Sequence, residues 1–184
     1  MVTWVYLAIV GAVALERLVE LVISRRNAAR AFDQGGKEFG QGHFGVMKAL
    51  HTLFLVAAPA EVLLLDRPVI PWLFTLMVVL LCFTMGLRYW AIGTLGERWN
   101  TRVIVVPGLK AVSGGPYRFL RHPNYVAVVL ELLALPLMHS AWITAAVFGV
   151  ANLVLLKVRI DCEERALREV CGYDALEERP RVLP

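Results

Sequence analysis

The sequence predicts an all-α integral membrane protein of five transmembrane helices, with a cytoplasmic C-terminal helix and a short cytoplasmic extended or hairpin segment, as one domain over residues 1–184. Three observations predict it. The chain is 58% hydrophobic with a mean hydropathy of +0.62, against roughly 45–50% apolar residues in soluble domains. Apolar stretches near the length that crosses a bilayer, about 20 residues, recur between polar links. Of the 19 Lys and Arg residues, only Arg67 falls in a predicted outer link and Arg17 within a span, the others gathering at or near one face. That bias marks the cytoplasmic side and places the N-terminus outside and the C-terminus inside. It also assigns the formal net charge of +4 to topology and excludes nucleic acid as the partner.

The first span runs from Val2 to Ile23. It lacks the basic start and small-residue cleavage pattern of a signal peptide and reads as a retained helix. Glu16 and Glu20 share one helical face and Arg17 reaches Glu20 at i,i+3, which predicts a structural ion-pair network facing other helices. Ser24-Arg25-Arg26-Asn27, then Arg30 and Lys37, mark the inner face. The link from Asn27 to Val46, with Gly35, Gly36, Gly40, Gly42 and Gly45, is too polar and glycine-rich to span and reads as a cytoplasmic loop with a short interfacial helix. The second span, Met47 to Leu65, carries Lys48, His51 and Glu61, and Asp66-Arg67-Pro68 forms the outer turn. The third, Pro71 to Leu95, ends with Arg88-Tyr89-Trp90, an interfacial aromatic belt with a snorkelling arginine.

Between Gly96 and His122 the chain is basic and partly β-prone, with Val103-Ile104-Val105-Val106 before Pro107-Gly108 predicting an extended strand or hairpin on the inner face. The fourth span, Pro123 to Met138, and the fifth, Ala141 to Val158, are separated only by His139-Ser140, so they form an antiparallel hairpin. The fifth helix continues through Lys157, Arg159, Glu163 and Arg168 into the cytosol, and Gly172 ends it before a tail from Tyr173 to Pro184.

The stretch Gly114 to Tyr125 concentrates turn residues, aromatics and charge between two apolar segments. Two glycines and a proline cannot continue a helix, and Pro123 holds His122 extended just before a helix that starts at Pro123 or Asn124. Unpaired N–H groups at that start, beside Arg118, Arg121 and His122, form a pocket suited to a carboxylate or phosphate; a basic membrane-edge loop is the plainer account. Glu131 lies nine residues beyond His122, roughly 13 Å deeper in a helix, where a carboxylate must face protein or a watered cavity. Arg159 and Glu163 share a face at i,i+4, as a simple surface ion pair would. Cys82, Cys162 and Cys171 show no CxxC spacing, so neither a disulfide framework nor a metal site is expected.

The run GPYRFLRHPNY, Glu131 in the next helix, and the pattern Arg159-x-x-x-Glu163-Glu164-x-x-Leu167 resemble the isoprenylcysteine carboxyl methyltransferase family of integral membrane enzymes, in its short bacterial form. The resemblance implies S-adenosylmethionine as cofactor, bound at the cytoplasmic face by Tyr117, His122, Pro123, Asn124, Tyr125 and Glu163. Arg159 would face the methyl acceptor. Leu109-Lys110-Ala111-Val112 stands where the eukaryotic enzymes have His-x-Leu-Val, so the histidine contact is missing and Val112 keeps a backbone contact. The chain also lacks the additional N-terminal spans of the eukaryotic enzymes. Some bacterial relatives of this short form methylate long-chain polyketide lipids, alkylpyrones and alkylresorcinols, which makes such a lipid the expected acceptor and an isoprenylcysteine carboxylate the alternative. An NADPH-dependent membrane reductase and a non-enzymatic scaffold are the competing classes. The implied partners are a lipophilic small molecule and membrane lipid, with no obligate protein partner, and the implied location is the bacterial inner membrane.

Methyl transfer from a sulfonium requires chiefly alignment and exclusion of water. An already ionised acceptor needs no base, and Arg159 could hold it by charge-assisted hydrogen bonds. A phenolic acceptor, with a pKa near 10, favours a general base among His51, His122 and Glu131.

Overall fold

The computed structural model describes residues 1–171, so the expected helix end at Gly172 and the tail lie outside the described residues. Five helices dominate: α1 (Val2–Asp33), α2 (Gln41–Leu64), α3 (Pro71–Leu95), α4 (Pro123–Leu137) and α5 (Trp142–Cys171). Two short strands, β1 (Lys37–Phe39) and β2 (Val103–Val105), pair antiparallel with Lys37 opposite Val105 and Phe39 opposite Val103. The predicted extended segment is therefore real, but its partner is a distant strand and not a local hairpin. Val103 and Val105 bury their side chains against Ala166 of α5, with Phe39 and Leu167 packed alongside.

By length and composition α2, α3 and α5 are long and apolar enough to cross a membrane, while α4 is a shorter apolar helix. Leu18, Val56, Val79 and Val150 are 61, 62, 61 and 63% exposed, the apolar exterior of a chain whose solvent is lipid. The interior core joins Tyr6 and Val10 of α1, Phe54 and Val62 of α2, Met77 and Leu81 of α3, and Leu132 and Leu135 of α4. Most of α4 is buried between its neighbours. At the α4–α5 turn the Glu61 carboxylate accepts from the Thr144 backbone N–H at 2.6 Å and the Ile143 N–H at 3.2 Å, capping α5 while pairing with Arg67 at 2.8 Å. A carboxylate satisfies otherwise orphaned N–H groups at a helix start.

The expected loop from Asn27 is shorter than the sequence suggested, because α1 continues to Asp33 and α2 begins at Gln41. The polar residues that read as loop are instead buried partners of the connection after α3. Ser24 Oγ donates to Asn100 Oδ1 at 2.8 Å and accepts from the Thr101 N–H at 3.0 Å, and Asn27 Nδ2 donates to the Trp99 carbonyl at 2.8 Å. Gly40, at φ +64, makes the turn from β1 into α2; a Cβ there would meet the His43 ring at 2.1 Å and the Cys162 Sγ at 2.8 Å.

Arg88 does not snorkel. It is 3% exposed and pairs with Glu131 of α4 at 2.7 Å and Glu20 of α1 at 3.6 Å. The predicted Arg17–Glu20 pair is present at 2.9 Å, and Arg17 also lies 3.7 Å from Glu131. Removing one member of a buried ion set strands the others. Arg88→Met should therefore cost about 3 kcal/mol of stability, and Arg88→Met combined with Glu131→Gln less than the sum of the two single changes, both measured by denaturant unfolding in detergent.

Candidate active site

A cavity of about 840 Å³ opens within the helix bundle, bounded by α1, α2, Arg88 and Leu95 of α3, the connection from Glu97 to Val112, the loop leading into α4, the start of α4, and α5. The loop takes its shape from Gly115, which sits at φ +53 with the Thr94 hydroxyl where a Cβ would be, opening a 3₁₀ turn over Gly115–Arg118. Pro123 opens α4, as expected from the residues, while His122 before it takes φ −129 and ψ 61, outside the extended region that the sequence predicted.

Tyr125 is the hinge of the site. Its hydroxyl donates to the Glu163 carboxylate and accepts from Arg159 Nε at 2.7 Å. Arg159 and Glu163 are thus joined through a tyrosine from another helix and not as a plain surface pair. The Arg159 guanidinium also lies 5.6 Å above the Tyr125 ring centroid and donates from Nη2 to the Thr101 carbonyl at 2.6 Å. Buried to 5% exposure, this cation is held by hydrogen bonds and an aromatic face, the conditions under which a buried charge is tolerated.

Behind it lies a carboxylate that the sequence reading passed over. Glu164 is fully buried. It accepts from His122 Nε2 at 3.2 Å and Arg121 Nη1 at 3.1 Å, with Arg168 at 3.4 Å. An ionised carboxylate can only accept, so Nε2 carries a proton. The His122 ring stacks on Tyr125 at 5.2 Å and 19°, and its Nδ1 lies 3.9 Å from Glu163. Two adjacent glutamates hence divide the work: Glu164 anchors the loop and Glu163 faces the cavity. The signal available in the sequence was the adjacency itself, since neighbours on a helix point to different surroundings.

Of the expected site residues, Val112, Tyr117, His122, Asn124, Tyr125, Glu163, Arg159 and His51 line the cavity. Pro123 is fully buried at the helix start and shapes the loop from behind. Glu131 is likewise off the cavity wall: paired with Arg88 and Arg17, it belongs to the ion network, because a carboxylate at that depth is stabilised by the nearest guanidiniums. Arg17, Glu20 and Arg88, read from the sequence as structural or interfacial, do reach the wall. The Asn124 Oδ1 atom is buried without a hydrogen-bond partner, so acceptor capacity is held in reserve there. Among the described residues no cluster could hold a metal ion.

A model of the isoprenylcysteine carboxyl methyltransferase family matches residues 75–169. The chain is also 39% identical over 166 residues to an uncharacterized Bacillus subtilis protein, YpbQ, an alignment covering 90% of this chain and 96% of that one. An uncharacterized protein of Haemophilus influenzae is 27% identical over 154 residues, 82% of this chain and 88% of the other. The family match contains every expected site residue except His51.

Glu164→Ala would leave His122 and Arg121 without this carboxylate and should lower stability by about 3 kcal/mol, whereas Glu163→Ala, at the cavity face, should cost under about 1 kcal/mol. Thermal unfolding of the two purified variants compares them directly.

Proposed function

The chain belongs to the isoprenylcysteine carboxyl methyltransferase family, and from that premise we propose that it is an S-adenosylmethionine-dependent O-methyltransferase acting on a lipophilic acceptor at the cytoplasmic face of a bacterial inner membrane. One observation carries the reading: the Tyr117–Tyr125 loop, Arg159 and Glu163 share a single cavity with Leu18 and Val56, apolar residues that are 61 and 62% exposed. A polar donor site and a lipid-facing wall thus meet in one space, as transfer from a water-soluble donor to a membrane-held acceptor requires.

The residues present fit the cofactor. The Glu163 carboxylate suits a cationic group, Asn124 Oδ1 lacks a partner and suits an amino or hydroxyl donor, and the α4 start, without a side-chain cap, suits a carboxylate. Bound there, the cofactor supplies an electrophilic methyl group on a sulfonium. Tyr125 and Arg159 fix the orientation of Glu163, His122 holds the ring wall of the site, and the apolar surfaces of Val128 and Leu156 exclude water.

The acceptor of this reading is a long-chain polyketide lipid of the alkylpyrone or alkylresorcinol type, and the family description favours a prenylated cysteine carboxylate as the second reading. Five spans, with the N-terminus outside and the C-terminus inside, complete it. The helix α4 has 15 residues and covers about 22 Å, short of a bilayer core of about 30 Å; its burial by neighbouring helices removes the need to match lipid along its whole length.

Calorimetry on detergent-purified protein should show binding of S-adenosylmethionine or its demethylated product, weakened at least about tenfold in Glu163→Ala, which removes a charge-assisted contact. Binding of NADPH instead would favour a reductase, and binding of neither would sink both. Reporter fusions after residue 66 and at residue 184 should read outside and inside respectively; the opposite pattern overturns the topology and the cytoplasmic placement of the site.

A further inference from the structure

Resting on the methyltransferase reading, we infer that His51 is the general base of the reaction and that the acceptor enters as an un-ionised phenol or enol rather than as a carboxylate. Glu131, His122 and His51 are the proton acceptors that the sequence offers for such a step, and their surroundings separate them. Glu131 is bridged to Arg88 at 2.7 Å and lies 3.7 Å from Arg17, away from the cavity wall. Its protonation would break the ion network. His122 is protonated at Nε2 toward Glu164 and turns Nδ1 toward Glu163, so both ring nitrogens face carboxylates of the cofactor side.

His51 differs. Its Nδ1 lies 2.9 Å from the Met47 carbonyl oxygen, which can only accept, so Nδ1 carries the proton and Nε2 bears the lone pair. Among the described residues that carbonyl is the ring's hydrogen-bond partner, and the ring lines the same cavity as Tyr125, Asn124 and Arg159. A basic nitrogen is thereby presented to the cavity in a fixed tautomer.

The charged groups around it are paired with one another. Arg17 and Glu20 approach from α1, Arg88 from α3 and Glu131 from α4, while α5 contributes the uncharged Asn152 and Lys48 on the same helix is solvent-exposed. With Glu16, which pairs with Arg17, the network sets Glu16, Glu20 and Glu131 beside Arg17 and Arg88. A ring nitrogen with a free lone pair has a task only where the acceptor still carries its proton, since an ionised acceptor needs no base. In the step itself, the acceptor's O–H bond breaks, its proton passes to Nε2 and the electron pair stays on oxygen. That oxygen forms the new bond to the donated methyl carbon, and the pair of the broken methyl–sulfur bond remains on sulfur. The imidazolium then returns its proton to water.

The test uses the full-length protein in detergent and two variants: His51→Gln keeps a hydrogen-bond acceptor without basicity, and His51→Leu has neither. Without cofactor, a long-chain alkylresorcinol should bind the native protein about fivefold more tightly than its dimethyl ether. His51→Gln should retain that preference and His51→Leu should lose it. With methyl-labelled cofactor, His51→Gln should turn over roughly 100-fold more slowly near neutral pH, and its rate should climb about tenfold per pH unit toward the acceptor's own pKa near 10, a climb that the native enzyme lacks. Equal binding of resorcinol and ether by the native protein, native turnover in His51→Gln, or a loss that is the same at every pH would each overturn the inference. Cofactor affinity measured on the same samples separates the two levels: retained in all three proteins, it leaves the methyltransferase reading standing whatever becomes of His51.

Discussion

Arg88 fixes the position of nearly everything around the cavity. A charge at membrane depth must be paired, since its desolvation is otherwise too costly, and this guanidinium finds Glu131 on α4 and Glu20 on α1. Three helices are thereby held in one register. From there the dependence runs upward: α1, anchored at Glu20, carries Ser24 and Asn27 to the connection after α3, where they hold Trp99, Asn100 and Thr101. The Thr101 carbonyl then accepts from Arg159. A site residue on α5 is thus positioned by a chain of contacts that starts in the ion network below it.

The second constraint is local. Tyr125 binds both Arg159 and Glu163, and its ring carries the His122 imidazole on one side. The buried Glu164 anchors that imidazole and Arg121 from behind. A loop rich in glycine and proline would otherwise sample many conformations. Here its functional end is clamped to α5 by a carboxylate, and its other end is set by Gly115 closing on Thr94.

Much of this was legible in the residues. Hydrophobic runs announced the helices, and Pro123 announced the start of α4, because a proline's missing N–H and fixed φ suit that position and few others. Arg17 and Glu20 announced a network by their spacing. The partners of that network were not legible, since Arg88 and Glu131 come from helices whose mutual rotation only packing decides. For the same reason Arg88 read as an interfacial arginine and Glu131 as a site residue. The α1 extension was missed because Ser24 and Asn27 have weak helix propensity, and the tertiary hydrogen bonds that outweigh it lie far along the chain. Strand β2 read correctly as extended, but its pairing with β1 could not be inferred from a three-residue segment within a glycine-rich stretch.

The cavity has two unlike ends, and the contrast constrains where reaction can occur. At one end Arg98, Arg102, Arg121 and Arg159 line the wall beside Glu163; at the other, Arg17 and Arg88 pair with Glu16, Glu20 and Glu131. Between them lie Val128, Leu155 and Leu156. The guanidiniums of the second end are already paired with carboxylates, and an uncharged hydroxyl crosses the apolar middle at the smaller cost of a neutral polar group. Water is least competitive in that middle, and there a cationic methyl donor reaching inward and a hydroxyl reaching outward from lipid would meet. His51 lines the cavity with Arg17 and Arg88, and Tyr125 lines it with Arg159 and Glu163. In the proposed reaction deprotonation therefore falls to the end of the cavity that holds His51 and donor orientation to the end that holds Tyr125, so that the two tasks are carried by separate groups of residues.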